Sequence, residues 1–281
     1  MFARTSARWP RILAHLENAM RLTPTLLTLV LLAPAAAQEI DVTTLVTAPG
    51  HVKLGPGAKV GYSVTQTFTG SGIEQRNAYA IVGEDADTFW VEHTGPRITA
   101  LATTLPELEG AWMGLVVRKA DGVVVEAWLG QPGQPLRSIG VAEAHPAPEP
   151  PPAKEGSIEL PFGRVTVMIQ RGPKGTEWIG LEGDLEGVLV KRAGPDGEGY
   201  ELTAPPVEGE RKLGEETLAT RTLTYSNGQE IVLTDDPVID AFFPTGAGGM
   251  LSLRAGGIEI AVSARGTDAQ PQLDWDSRRR E

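Results

Sequence analysis

The sequence contains no cysteine. That absence excludes disulfides, thiolate metal ligands, a cysteine nucleophile and a lipid-bearing N-terminal cysteine together. Aromatic residues are scarce, at 6%. Beyond residue 37 no long window keeps a clean helical period, and only Glu210–Ala219 and Val238–Phe243 offer a turn or two of helix. Catalytic signatures are missing as well. There is no His-x-His, no His-Glu-x-x-His, no Gly-x-Ser-x-Gly and no Ser-x-x-Lys followed by Lys-Thr-Gly, so neither a zinc hydrolase nor a serine acyl-enzyme has its usual parts. The glycine runs Gly55-Pro-Gly57 and Gly246-Ala-Gly-Gly249 lack the Lys-Ser/Thr that a phosphate cradle needs, and they read as turns.

What is present starts with an export signal. Arg21 precedes an apolar run, Leu26 to Ala33, and Ala35-Ala36-Ala37 stands before Gln38. A basic start, a short apolar run and an Ala-x-Ala end are the parts of a secretory signal peptide. The run is too short to anchor a protein in a bilayer. Residues 1–37 are therefore expected to be removed between Ala37 and Gln38. Two readings of the start stay open: translation from Met20, or a long basic leader using Arg4, Arg8, Arg11 and Arg21. Removing residues 1–37, with four arginines and one glutamate, takes the net charge from −11 to −14. So acidic a surface repels nucleic acid and anionic membrane faces. The expected location is the periplasm or the medium, with no membrane span in the mature chain.

With 281 residues, 41% of them apolar, the chain can build a substantial core, and 33 glycines with 22 prolines favour short strands and tight turns. Lys59–Phe68 alternates, with Val60, Tyr62, Val64, Gln66 and Phe68 on one face. Further strands are expected at Asn77–Val82, Thr88–His93, Gly114–Lys119, Val123–Leu129, Arg164–Gln170, Glu177–Leu181 and Val188–Arg192. Later ones fall at Thr220–Tyr225, Glu230–Thr234, Gly249–Arg254 and Ile258–Ser263. Asp121-Gly122, Asn227-Gly228 and Gly256-Gly257 supply the positive φ of hairpin turns. Ile98–Leu105 fits strand or helix equally. The proline-rich segment 145–156 reads as an extended linker. It separates an N-terminal β half (38–144) from a C-terminal β half (157–273), followed by a charged tail (274–281) whose Arg278-Arg279-Arg280 reads as solvated. The expected fold is mainly β: a curved antiparallel sheet, half-barrel or sandwich, with little helix outside the signal segment.

Three histidines follow residue 37: His51, His93 and His145. None has a second ligand at metal spacing or a visible acid–base partner, so no catalytic residue, metal or cofactor is assigned. Asp235-Asp236 before Pro237 reads as turn chemistry, and Glu182, Asp184 and Glu186 lack calcium-loop spacing. The tryptophans are the more interesting group. Trp90, Trp112, Trp128 and Trp178 lie in or beside strands, where indoles either line an apolar ligand cavity or fill a core.

The succession Lys59-Val-Gly-Tyr62, Phe89-Trp-Val-Glu92, then Leu115-Val-Val, Gly122-Val-Val and Ala127-Trp128 resembles a group of uncharacterised exported bacterial proteins. The late run from Tyr225-Ser-Asn-Gly-Gln-Glu230 through Pro237, Pro244 and Gly248-Gly249 to Ile258-Glu-Ile-Ala-Val262 fits the same plan. The group is similar to periplasmic lipoprotein carriers. That resemblance implies a curved antiparallel sheet wrapped around helices and an apolar cavity, with lipid or another apolar molecule as ligand. This chain departs from the plan in its shortage of helix and its proline-rich segment. The leading expectation is a non-catalytic binding or carrier module for an apolar ligand. The alternative is an envelope scaffold or protein-interaction module with an envelope protein as partner, and a hydrolase ranks last.

Overall fold

The computed structural model describes residues 46–96, 98, 108–144 and 152–280. The expected signal segment, with Met20, Ala37 and Gln38, lies outside these residues. So do His145, most of the expected linker, and Ile98–Leu105 apart from Ile98.

Alternating apolar residues separated by glycine turns give a chain of short hairpins. The first are β1 (Thr47–Ala48), β2 (Ser63–Gly70), β3 (Ile73–Glu84), β4 (Thr88–Thr94), β5 (Trp112–Arg118), β6 (Val124–Gly130), β7 (Arg137–Ser138) and β8 (Gly140–Val141). Then follow β9 (Ala153–Leu160), β10 (Gly163–Gly172), β11 (Gly175–Gly180), β12 (Leu189–Ala193), β13 (Gly199–Glu201), β14 (Val207–Leu213), β15 (Glu216–Thr224) and β16 (Glu230–Thr234). A helix, α1 (Pro237–Phe242), precedes β17 (Gly249–Ala255) and β18 (Ile258–Gly266). The expected mainly β class with little helix holds, and the large sheet is not a closed barrel.

That sheet has eleven strands in the order β14-β15-β16-β17-β18-β2-β3-β4-β5-β6-β7. The N- and C-terminal halves meet inside it, because β18 pairs antiparallel with β2 from Glu259↔Thr69 to Gly266↔Ser63. The halves are therefore two parts of one sheet. A five-stranded antiparallel sheet, β13-β12-β11-β10-β9, is built from residues 153–201. It packs Leu160, Val167, Val188, Val190 and Leu202 against Leu223, Tyr225 and Leu233 of the large sheet's neighbourhood. β1 and β8 form a short parallel pair.

Two expectations change here. Residues 153–156, assigned to the linker, open strand β9, where Gly156 pairs with Val167 and Lys154 with Ile169. Glu210–Ala219, a candidate helix, is instead the β14–β15 hairpin, turned by Gly214 at φ +63°. A left-handed glycine there closes a two-residue turn and stops any helix. Val238–Phe243 does contain the helix. Asp236 caps it, its carboxylate accepting from the N–H of Val238 and Ile239 at 3.1 and 3.0 Å, with Pro237 in the first turn. Val238, Ala241 and Phe242 then pack on Val64, Ile81, Val91, Leu115 and Val117, the main core on one face of the large sheet.

Candidate functional site

The opposite face of that sheet carries three of the four candidate tryptophans. Strand pairing sets Ala80, Glu92, Gly114 and Trp128 in one row across β3 to β6. The next row holds Trp90, Val116 and Glu126, and Trp112 faces Gly130. Two glycines in adjacent strands leave a channel. A Cβ on Gly114 would lie 3.0 Å from the Trp275 ring and 3.2 Å from Leu273, and one on Gly130 would lie 2.8 Å from Leu136. The chain's own C-terminal segment fills the channel, crossing the strands as a strap.

Glu92 anchors this strap. It is fully buried. Its carboxylate accepts from the backbone N–H of Gln272 at 2.9 Å, of Leu273 at 3.0 Å and from the Trp275 indole N–H at 2.8 Å. Among the described residues no cation pairs with it. A buried carboxylate needs several donors to replace its lost water, and here backbone and indole supply them. Trp275 stacks on Trp90, with ring centroids 5.5 Å apart and 19° between planes. The Arg278 guanidinium lies 5.1 Å from the Trp90 ring and 5.9 Å from the Trp275 ring, and its Nε is 3.7 Å from Glu126. Trp128, buried, donates to Glu126 at 3.3 Å. The tail expected to be solvated is thus docked at least as far as Arg278, because Leu273 and Trp275 are apolar anchors among its charges.

Trp178 lies elsewhere. On β11 it pairs with Ile169 and Lys191, and the Lys191 ammonium sits 5.9 Å from its ring. The structure therefore brings Trp90, Trp112 and Trp128 together and leaves Trp178 on the five-stranded sheet. A cavity of about 70 Å³ lies between the two sheets, lined by Val188, Leu223, Tyr225, Ile231, Leu233 and Ala247 among others. None of the four tryptophans lines it. A volume of that size holds a water or two, whereas pockets for drug-sized ligands run from roughly 300 Å³ upward.

His93 sits on the helix-covered face. Its ring stacks on Tyr79 at 4.6 Å and 16°. Burial lowers its pKa to about 4 and raises that of Tyr79 to about 12, so both are neutral near pH 7. Among the described residues the His93 Nε2 atom has no hydrogen-bond partner. His51 bonds the Asp121 carbonyl at 2.6 Å. Asp235 pairs with Arg221 and Asp236 caps α1, so the adjacent pair is structural. Among the described residues, no three His, Asp or Glu side chains are grouped to hold a metal ion.

One surface was not marked by sequence reasoning. The β2–β3 and β17–β18 hairpins end side by side at the middle of the large sheet. Ile73 to Arg76 are four consecutive exposed residues. Neighbours along a strand point to opposite faces, so both faces are open there. At the tip, a Cβ on Gly70 would lie 3.2 Å from Ile258 and 3.5 Å from Phe68, so these apolar side chains converge on the glycine, and Ile73 beside them is 54% exposed. The turns are tight: Ser71 and Gly72 have φ of 52° and 76°, and Gly256 and Gly257 have 56° and 82°. The available signal was the unbroken polar run Glu74-Gln75-Arg76-Asn77 following Ile73 inside a strand.

No family model matches the chain, and no curated protein matches it. Among solved structures, the crystal structure of MucB in complex with MucA(peri) aligns over 74% of this chain and 88% of its own, at 9% identity and a TM-score of 0.20. A superposition that loose assigns neither fold family nor function. Among the described residues no helix is long and apolar enough to cross a membrane.

Proposed function

We propose that this protein is a non-catalytic interaction module of the bacterial envelope, exported by its N-terminal signal, that docks a protein partner on the paired β2–β3 and β17–β18 hairpin tips. The observation that carries this reading is the two-sided exposure of Ile73–Arg76 in the centre of an eleven-stranded sheet. Central strands normally bury at least one face. Here the sheet runs out beyond its core with Phe68, Ile73 and Ile258 grouped at the end, a rigid apolar tip with a polar rim of Glu74, Arg76 and Thr69. Rigid apolar centres ringed by polar groups suit protein docking. The apolar-carrier alternative draws no support from the cavity between the sheets, which is too small for an acyl chain.

The test is chemical cross-linking in the native host, comparing the natural chain with Ile73→Asp and Ile258→Asp. A partner band that both substitutions remove, while the folded protein persists at natural level, supports the reading. Bands indifferent to both substitutions, or a co-purifying lipid seen by native mass spectrometry with no partner band, would overturn it.

A further inference from the structure

The channel across β3–β6 is built for one peptide, and that peptide is part of this chain. Glu92 reads two successive backbone N–H groups and an indole N–H two residues on. Gly114 admits Leu273 and Trp275, and the Trp90 ring stacks on Trp275. The Leu136 N–H donates to the Ser277 hydroxyl at 3.2 Å, and Glu126 meets Arg278. A second copy of the chain carries the same peptide.

We infer that the strap Gln272–Arg278 is exchangeable between two copies, so that the channel of each copy takes the strap of the other in a two-fold dimer. Three features support exchange. First, the strap adds no rung to any sheet: β18 ends at Gly266, so releasing the strap breaks no strand pairing. Second, its anchors lie on β4, β5, β6 and the Leu136 loop rather than on its own connector, so each contact forms equally well between copies. Third, the connector is short and exposed. Ala269, which donates to the Gly61 carbonyl at 2.8 Å, ties the chain to the sheet just before the strap. Gln270 and Pro271 follow, both exposed. Proline keeps the residue before it extended and offers no N–H to a turn. A short hinge ahead of a self-contained docking segment is the arrangement that favours exchange of identical elements. This inference is independent of the hairpin-tip reading.

The absence of cysteine permits a direct test. A Glu126→Cys chain is mixed with an Arg278→Cys chain and treated with a short bis-maleimide. Both positions lie at the rim of the channel, so neither change empties the core. Exchange predicts a covalent heterodimer several-fold above the yield from Glu126→Cys mixed with Arg76→Cys, whose thiol sits on the exposed hairpin. Adding Trp275→Ala to the Arg278→Cys chain should return the yield to that control. A yield equal to the control in the first mixture, at concentrations up to the solubility limit, overturns the inference.

Discussion

Glu92 is the residue on which the tryptophan face depends. Its carboxylate satisfies two backbone donors and one indole donor in a site with no water-exposed surface. Glu92→Gln preserves shape but turns an amide N–H toward those donors. Each buried donor left unmade costs about 1–3 kcal/mol, so urea unfolding should show a loss of about 2–4 kcal/mol. A loss within about 0.5 kcal/mol, the scale of an ordinary surface change, would mean that the strap is not held this way. His93 makes a prediction of opposite character. Its folded pKa of about 4 lies below the ordinary histidine value near 6.5. The unfolded chain thus binds the extra proton first. The contribution of neutral His93 is complete above pH 6.5 and is lost as pH falls towards 4, at up to about 1.4 kcal/mol per pH unit. Replacing it by phenylalanine should flatten the stability curve in that window while leaving its slope above pH 7 unchanged. Identical curves for the two proteins would contradict the buried, neutral assignment.

Among the elements, the strap is the one that sequence patterning hides. Hairpins were legible because their signals are local: Gly256-Gly257 and Asp121-Gly122 turn where glycine adopts positive φ, and the strands beside them alternate. The strap has no period, and its arginines resemble a solvated tail. Only its pairing with Glu92, 180 residues away in sequence, gives it a place. Strand β9 was hidden for a different reason. Ala153-Lys-Glu-Gly reads as loop, and it is strand because β10 offers it eight partners from Gly163 to Gln170. β-propensity is largely a record of such context. The tryptophans divided in the same way: their positions were legible, while their shared face required the register of four strands. Ending the chain at Pro271 should expose Trp90 and Trp128 to solvent. Their fluorescence should shift to the red and quench readily with iodide, while the far-ultraviolet signature of the sheet stays. An unshifted spectrum would show that the strap covers nothing.

At the scale of the whole molecule, the proline-rich segment suggested two successive β halves, yet chain order and spatial order differ. β18 closes onto β2, so the outer edge of β2 has no paired neighbour until the last strand arrives. Contacts of such long sequence separation make folding slow and the unit cooperative. Thermal unfolding of residues 38–281 should therefore be a single transition, with circular dichroism and tryptophan fluorescence coincident. Two separated transitions would assign independent stability to the halves.

The central claim, docking on the hairpin tips, is tested most directly by placing a photo-cross-linking residue at Ile73 and, separately, at Val207. Both are exposed apolar positions, at 54% and 61%, but Val207 lies on the edge strand β14 far along the sheet order. Illumination in the native host should trap one discrete protein partner from Ile73 and none from Val207. Equal trapping from both positions, or from neither, would contradict the account.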